Sequence, residues 1–320
     1  MYNRIKKEMF STFKMGDVAD KQFVGLQYMI RGNGDVVLHQ EDYLYATLEI
    51  AGYEDANPQK TPMEPGKKFT VYDGEKKLNS GWFRSVLGML RWLCHSRPDI
   101  TFAIGMLERH GRNYGEEHEQ ALKRVLRYLS GTRTMGVVYK KSEEVSKQMS
   151  LTVYSDSDFA GQHVHHGYST AGVLILNQFN HVLHWVSRKQ KAVSVSSCEA
   201  EYQALAEACK LVRLYRYVLT ELKMLKAGAT EIFVDNKSAI QVALGARTTE
   251  ASRHVAVRHH LVREMIEKGE IRVFWVSTEE KKANIFTKAV GGEKFQMDRE
   301  TLLEDIAELG ATNEDNTPEE

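Results

Sequence analysis

Three acidic positions in this 320-residue sequence fall where carboxylates do chemistry. The run Leu151-Thr-Val-Tyr-Ser-Asp-Ser-Asp-Phe-Ala-Gly161 alternates Leu151 and Val153 with Thr152 and Tyr154, which predicts a half-buried strand. It delivers Asp156 and Asp158 at its C-terminal end, and Gly161 lets the chain turn away. A second strand-like run, 231–234, ends at Asp235, and Glu201 stands near the start of a long helical pattern over 197–222. An acid at a strand end is by itself ordinary surface decoration; recurrence at matching places argues for a site. If the two strands are neighbours in one sheet, their ends bring Asp156 and Asp235 together, and a helix crossing the sheet lays a glutamate over them. Clustered carboxylates repel unless a cation neutralises them, so the set points to Mg²⁺ or Mn²⁺, hard ions that prefer oxygen. Two such ions roughly 3.5–4 Å apart form an apparatus for displacing a leaving oxygen at a phosphodiester.

The long helix offers two glutamates, and periodicity chooses between them. Its apolar stripe runs through Cys198, Leu205, Ala208, Cys209, Val212 and Leu219. At about 100° per residue, Glu201 lies roughly 40° from Leu205 and Glu199 roughly 120° away. Glu201 therefore faces the sheet, where an acid without partners is costly, and Glu199 faces solvent. Ser196 and Ser197 read as N-caps of this helix.

Around these residues the sequence reads βββαβα and then a fifth strand. Runs 171–176 and 182–187 complete a meander with the first strand; 236–244 and 253–268 read as helices, 271–276 as the last strand and 279–290 as a last helix. Upstream, 22–31 and 35–39 form a hairpin across Gly32-Asn-Gly34, and 41–51 a helix ended by Gly52. Residues 54–80, with Pro58, Pro62 and Pro65, read as a linker. Three helices follow, near 82–96, 99–110 and 116–129, then a short strand at 135–140 and a polar connector. Residues 303–320 turn acidic and read as a frayed tail. Trp82, Trp92, Trp185 and Trp275 all fit core stripes.

Charge and composition exclude little. Lys plus Arg balance Asp plus Glu at 43 each, so any basic surface is local. Lys123, Arg124 and Arg127 form one basic edge, readable as a solvated face or as a nucleic-acid contact. Arg253, His254, Arg258 and His260 form another, open to the same two readings and lacking zinc-ligand spacing. Cys94, Cys198 and Cys209 form no C-x-x-C pair and read as reduced thiols. No run approaches the roughly 18 apolar residues of a membrane span, and there is no apolar signal core. The expectation is a cytoplasmic or nuclear protein.

Residues 150–291 closely resemble the ribonuclease H domain of copia-type (Pseudoviridae) retrotransposon polyproteins. The resemblance is carried by Tyr-Ser-Asp-Ser-Asp-Phe-Ala-Gly (154–161), Ser-Thr-Ala-Gly (169–172), His-Trp-Val-Ser-Arg-Lys-Gln (184–190) and Ser-Ser-Cys-Glu-Ala-Glu-Tyr-Gln-Ala-Leu (196–205). It continues through Val-Asp-Asn-Lys-Ser-Ala-Ile (234–240), Arg-His-Val-Ala-Val-Arg-His-His (253–260) and Ala-Asn-Ile-Phe-Thr-Lys (283–288). The upstream half is similar to the end of the reverse transcriptase, through Ser-Arg-Pro-Asp-Ile-Thr-Phe-Ala (96–103) and Lys-Arg-Val-Leu-Arg-Tyr-Leu-Ser-Gly-Thr (123–132).

The resemblance implies an α/β chain: a ribonuclease H-like mixed five-stranded sheet with flanking helices (150–291) and an acidic tail (292–320). Before them would come a partial reverse-transcriptase palm with linker (1–70) and a helical thumb-like or connection region (71–149). It implies hydrolysis of the RNA strand of an RNA–DNA hybrid with two Mg²⁺ or Mn²⁺ ions, and as partners nucleic acid and the remainder of the Pol polyprotein. Asp156, Glu201 and Asp235 match three metal-binding carboxylates; Asp156 is favoured over Asp158 because it sits where the family's first strand presents its aspartate.

Two departures stand out. The family's fourth catalytic position, an aspartate in Ala-Asp-Ile, is Asn284, which keeps an oxygen but loses the charge, so a second metal should bind more weakly; Glu280 lies one turn earlier as a substitute. The Tyr-x-Asp-Asp motif of the polymerase is absent, so DNA synthesis is not expected.

Overall fold

The computed structural model describes residues 9–12, 22–23, 25–69, 80–142, 147–159, 168–245 and 256–307. The described residues contain two five-stranded sheets. The second sheet carries the acids. Its strands β5 (Leu151–Asp158), β6 (Thr170–Asn177) and β7 (Val182–Lys189) form an antiparallel meander. Strand β8 (Thr230–Val234) pairs parallel to β5, and β9 (Ile271–Trp275) parallel to β8, giving the order β7-β6-β5-β8-β9. The expected neighbours are therefore paired, with Val153 opposite Ile232. Helix α5 (Ser197–Glu221) crosses one face, burying Leu205, Ala208, Cys209 and Val212 on Val153, Val173, Ile175 and Ile232. This is the ribonuclease H-like mixed sheet that the resemblance implies.

Strand β6 explains how the two halves join. It is buried at every position, as an uninterrupted apolar run requires when both sheet faces are covered. Val173 and Ile175 point to the α5 core, whereas Leu174 and Leu176 join a second core with helices of the upstream half. Those helices are α1 (Glu41–Ala51), α2 (Ser80–Leu93), α3 (Thr101–Glu108) and α4 (Glu116–Ser130). Side-chain bonds stitch the junction, among them Trp185 Nε1 donating to the Cys94 carbonyl at 3.1 Å, the Tyr139 hydroxyl to the Val182 carbonyl at 3.0 Å and Arg109 Nη2 to Thr170 Oγ1 at 2.9 Å.

The first sheet draws on segments far apart in the chain. Strands β1 (Gln22–Phe23), β2 (Leu26–Ile30), β3 (Val36–His39), β4 (Met135–Tyr139) and β10 (Glu304–Asp305) lie in that order, all antiparallel. The frayed tail expected from 303 is thus corrected over 303–306: Leu303 and Ile306 are buried and β10 pairs with β4. Helices α6 (Lys237–Ala243) and α7 (Ala256–Glu267) connect β8 to β9, and α8 (Gly292–Glu300) precedes β10. The helix expected over 279–290 is replaced by turns and one 3₁₀ turn at Asn284–Phe286. Its side chains point both ways, Lys281 and Thr287 to the acids, Ile285 and Phe286 into the upstream core, which one amphipathic helix face does not allow. Trp275, expected in a core, is half exposed.

The upstream motifs are structural. Arg97, fully buried, donates from Nε and Nη2 to the Asp99 carboxylate at 3.0 and 2.7 Å and from Nη1 to the Thr132 carbonyl at 2.7 Å. The Tyr128 hydroxyl donates to the same carboxylate at 2.5 Å. Removing one member of a buried pair leaves the other charge uncompensated. Asp99→Asn, which keeps the volume, should therefore lower the unfolding free energy in urea by about 3 kcal/mol.

Candidate metal centre and nucleic-acid interface

The acids converge because regular elements deliver them. Asp156 is near the end of β5, Asp235 follows β8 directly, and Glu201 lies in the first two turns of α5. Ligand oxygens of the three lie within 4.8 Å of one another. Asp156 and Glu201 are buried; Asp235 is the most open, with its side chain 17 % exposed.

The start of α5 is fixed with care. Ser196 caps it by accepting from the Glu199 amide at 3.1 Å, and the Glu199 carboxylate accepts from the Val195 amide at 2.8 Å. Gln190 donates to the Ala200 carbonyl at 2.8 Å and accepts from Ser194, which also accepts from Gln203. With the helix start pinned, Glu201 Oε1 accepts from both the amide and hydroxyl of Ser157 at 3.0 Å. Its Oε2 is buried with no hydrogen-bond partner.

That oxygen faces a residue that the sequence reading passed over. Lys281, on the turn after β9, is fully buried and its ammonium lies among the three acids. It hydrogen-bonds Asp156, bonds Asp235 Oδ1 at 2.8 Å, and lies 3.6 Å from Glu201 Oε2. The Thr287 hydroxyl donates to the other oxygen of Asp156, and Thr278 Oγ1 to Asp235 Oδ2 at 3.1 Å. Nothing in residue type marked Lys281, since Glu-Glu-Lys-Lys (279–282) looks like a solvated run. Its neighbour Lys282 does turn outward, over the Tyr154 ring at 5.6 Å.

The other expected residues are placed as follows. Asn284 is buried beside the site, but its Nδ2 donates to the Thr278 carbonyl at 2.7 Å and its Oδ1 is unpartnered. It steadies the loop that touches Asp235 and bonds none of the three acids among the described residues. Asp158 is outside the cluster; burial and Asp156 raise its pKa, opposed by Lys288, Lys68 and Arg109. Glu280 is exposed and accepts from Ser277, so it does not stand in for the fourth acid. Lys123 pairs with Glu119, Arg124 donates to Thr61, and Arg127 to the Asn57 carbonyl. Arg124 and Arg127 fasten the 57–64 segment to α4, whereas Lys123 pairs within the helix. His260 is exposed on α7, which also carries Arg258; Arg253 and His254 lie outside the described residues.

The electrostatics are those of an overfilled anionic site. Burial pushes the Glu201 carboxyl up to about 8, Lys281 opposing the rise and Asp156 and Asp235 adding to it. Burial works against the Lys281 charge, but Asp156 and Glu201 outweigh it and hold its pKa above the ordinary lysine value. The two shifts agree: one ammonium cannot balance three carboxylates, and a proton retained on Glu201 relieves the excess. A carboxyl whose pKa is higher folded than unfolded contributes stability at low pH that is lost as pH rises. In chelator, stability should therefore fall by several kcal/mol between about pH 4.5 and about pH 8. Glu201→Gln should flatten that slope in melts across the pH range.

Gly172 makes room for the turn. It lies opposite Asp156 on β6, and a Cβ there would come 2.7 Å from Thr287 Cγ2 and 3.0 Å from Phe286 Cβ. Gly172→Ala should push the turn off Asp156 and cost about 1–3 kcal/mol in chemical denaturation. A neutral result would show the turn to be freely adjustable.

As a donor set, three carboxylates with one unpartnered buried oxygen suit a hard cation. No protein-family model matches the chain. It is 34% identical over 259 residues to the retrovirus-related Pol polyprotein from transposon RE1 of Arabidopsis thaliana, a match covering 81% of this chain and 17% of that protein. It is 30% identical over 308 residues to the Pol polyprotein from transposon TNT 1-94 of Nicotiana tabacum, covering 93% of this chain and 23% of that protein. The chain thus spans about a fifth of the length of these relatives. An uncharacterized mitochondrial protein of Arabidopsis thaliana is 32% identical over 207 residues, 64% of this chain and 83% of that one. Among solved structures, the LC11 ribonuclease H1 isolated from compost is 16% identical, with a TM-score of 0.34 over 46% of this chain and 96% of that one. Relatives of this kind along most of its length place the chain in the family of copia-type retrovirus-related Pol polyproteins from transposons.

Proposed function

We propose that this chain is the ribonuclease H-type part of a transposon Pol polyprotein and that it hydrolyses the RNA strand of RNA–DNA hybrids. The observation that carries the reading is the convergence of Asp156, Glu201 and Asp235 at one end of the mixed sheet, under the start of α5. Those three residues would hold the divalent cations, Mg²⁺ or Mn²⁺ and two in number by the resemblance, which when bound neutralise a phosphodiester and acidify a water. The chain's own residues do the positioning: Ser157 orients Glu201, while Thr287 and Thr278 orient Asp156 and Asp235. Asp235, the most open of the three, is the acid nearest to an arriving substrate. The remainder of the polyprotein is the natural further partner.

A second reading, a domain that holds hybrids without cutting them, is favoured by two observations. An ammonium sits among the acids, and Asn284 replaces the fourth carboxylate. The two readings part in one experiment, with a labelled RNA–DNA hybrid incubated with the chain in Mg²⁺ or Mn²⁺. Cleavage of the RNA strand that falls about 100-fold or more in Asp235→Asn supports the nuclease. A gel shift of the hybrid without Asp235-dependent cleavage supports the second reading, and neither cleavage nor shift overturns both.

A further inference from the structure

Lys281 occupies the place where a cation would be expected. Its ammonium is paired with an oxygen of each of the three acids, whose ligand atoms lie within 4.8 Å of one another. A lysine with no exposed side-chain surface is stable only where anions surround it, and these acids need positive charge for the same reason. Two N–H donors of the Lys281 ammonium reach Asp156 and Asp235, and Glu201 Oε2 lies 3.6 Å away as an ion pair. The surroundings are shaped to bring it there: Gly172 admits the turn, Ile285 and Phe286 anchor it in the upstream core, and Thr287 shares Asp156 with it. Of the two adjacent lysines only Lys281 turns inward, and the neutral Asn284 adds no further negative charge.

We propose that the Lys281 ammonium is the resident cation of the Asp156–Glu201–Asp235 site, so that a divalent ion binds there only by displacing it. This rests on reading the three acids as a cation site. An ammonium carries half the charge of a divalent ion, yet it is covalently attached and therefore always present at high local concentration. It closes the site in the metal-free chain and competes with the ion for the same oxygens.

The test compares the full chain with Lys281→Met, which removes the charge at similar length, and Lys281→Arg, which keeps it. Mn²⁺ alone is the probe: free Mn²⁺ is read by electron paramagnetic resonance, and stability by thermal melts in EDTA and in millimolar Mn²⁺. Lys281→Met should melt several degrees lower than wild type in EDTA, regain that loss in Mn²⁺, and bind Mn²⁺ about 10-fold more tightly or better. Lys281→Arg should resemble wild type, and Asp156→Asn added to Lys281→Met should abolish the gained binding. Lys281→Gln is carried through the same comparison, so the outcome does not hang on the folding of one variant. Equal Mn²⁺ binding by wild type and the neutral variants overturns the proposal and leaves the nuclease reading standing. Failure of both Lys281→Met and Lys281→Gln to bind Mn²⁺ overturns both.

Discussion

Repulsion between like charges is the constraint on which this site depends. Strand pairing between β5 and β8 and the packing of α5 on the sheet fix where Asp156, Asp235 and Glu201 begin. Two unit charges 4 Å apart interact by about 4 kcal/mol at an effective dielectric of 20. Three buried acids therefore demand a remedy comparable in size to much of a domain's net stability. The chain answers with an ammonium, with donors from Ser157, Thr278 and Thr287, and with a proton retained on Glu201.

The upstream half contributes to the site from behind. Ala283, Ile285 and Phe286 pack in the same core as Leu90, Ile104 and Leu129, together with Leu174 and Leu176 of the sheet. The turn that presents Lys281 and Thr287 is thus clamped between the acids and the upstream helices. The buried Arg97–Asp99–Tyr128 network stiffens those helices in turn.

Much of this was legible in the sequence, for identifiable reasons. Alternation placed Asp156 on a strand, a 3.6-residue period put Glu201 rather than Glu199 toward the sheet, and β-rich runs before Asp235 placed it on the neighbouring strand. These readings held because regular elements impose a period. What failed lay where no period operates. The segment 279–290 looked helical because apolar and polar residues alternate in blocks, yet its side chains serve two different neighbours. Lys281 carried no signal, since a lysine beside acids in sequence usually stays in water. Arg124 and Arg127 looked like part of a free basic edge because their partners, Thr61 and Asn57, are supplied by a distant loop.

This division of labour has a consequence for how such a site changes. The acids sit on elements whose register cannot shift without moving a whole core. The countercharge sits on an irregular turn, where one side chain can be exchanged while the backbone stays anchored by Ile285 and Phe286. An aspartate at position 284 would face the Thr278 carbonyl that Asn284 now bonds with its amide, and so would itself call for a cation. A lysine at 281 supplies that cation from within. In this chain Lys281 adds a positive charge and Asn284 withholds a negative one, so both positions shift the charge of the centre the same way. The triad defines where a metal would go; the turn defines whether it is needed.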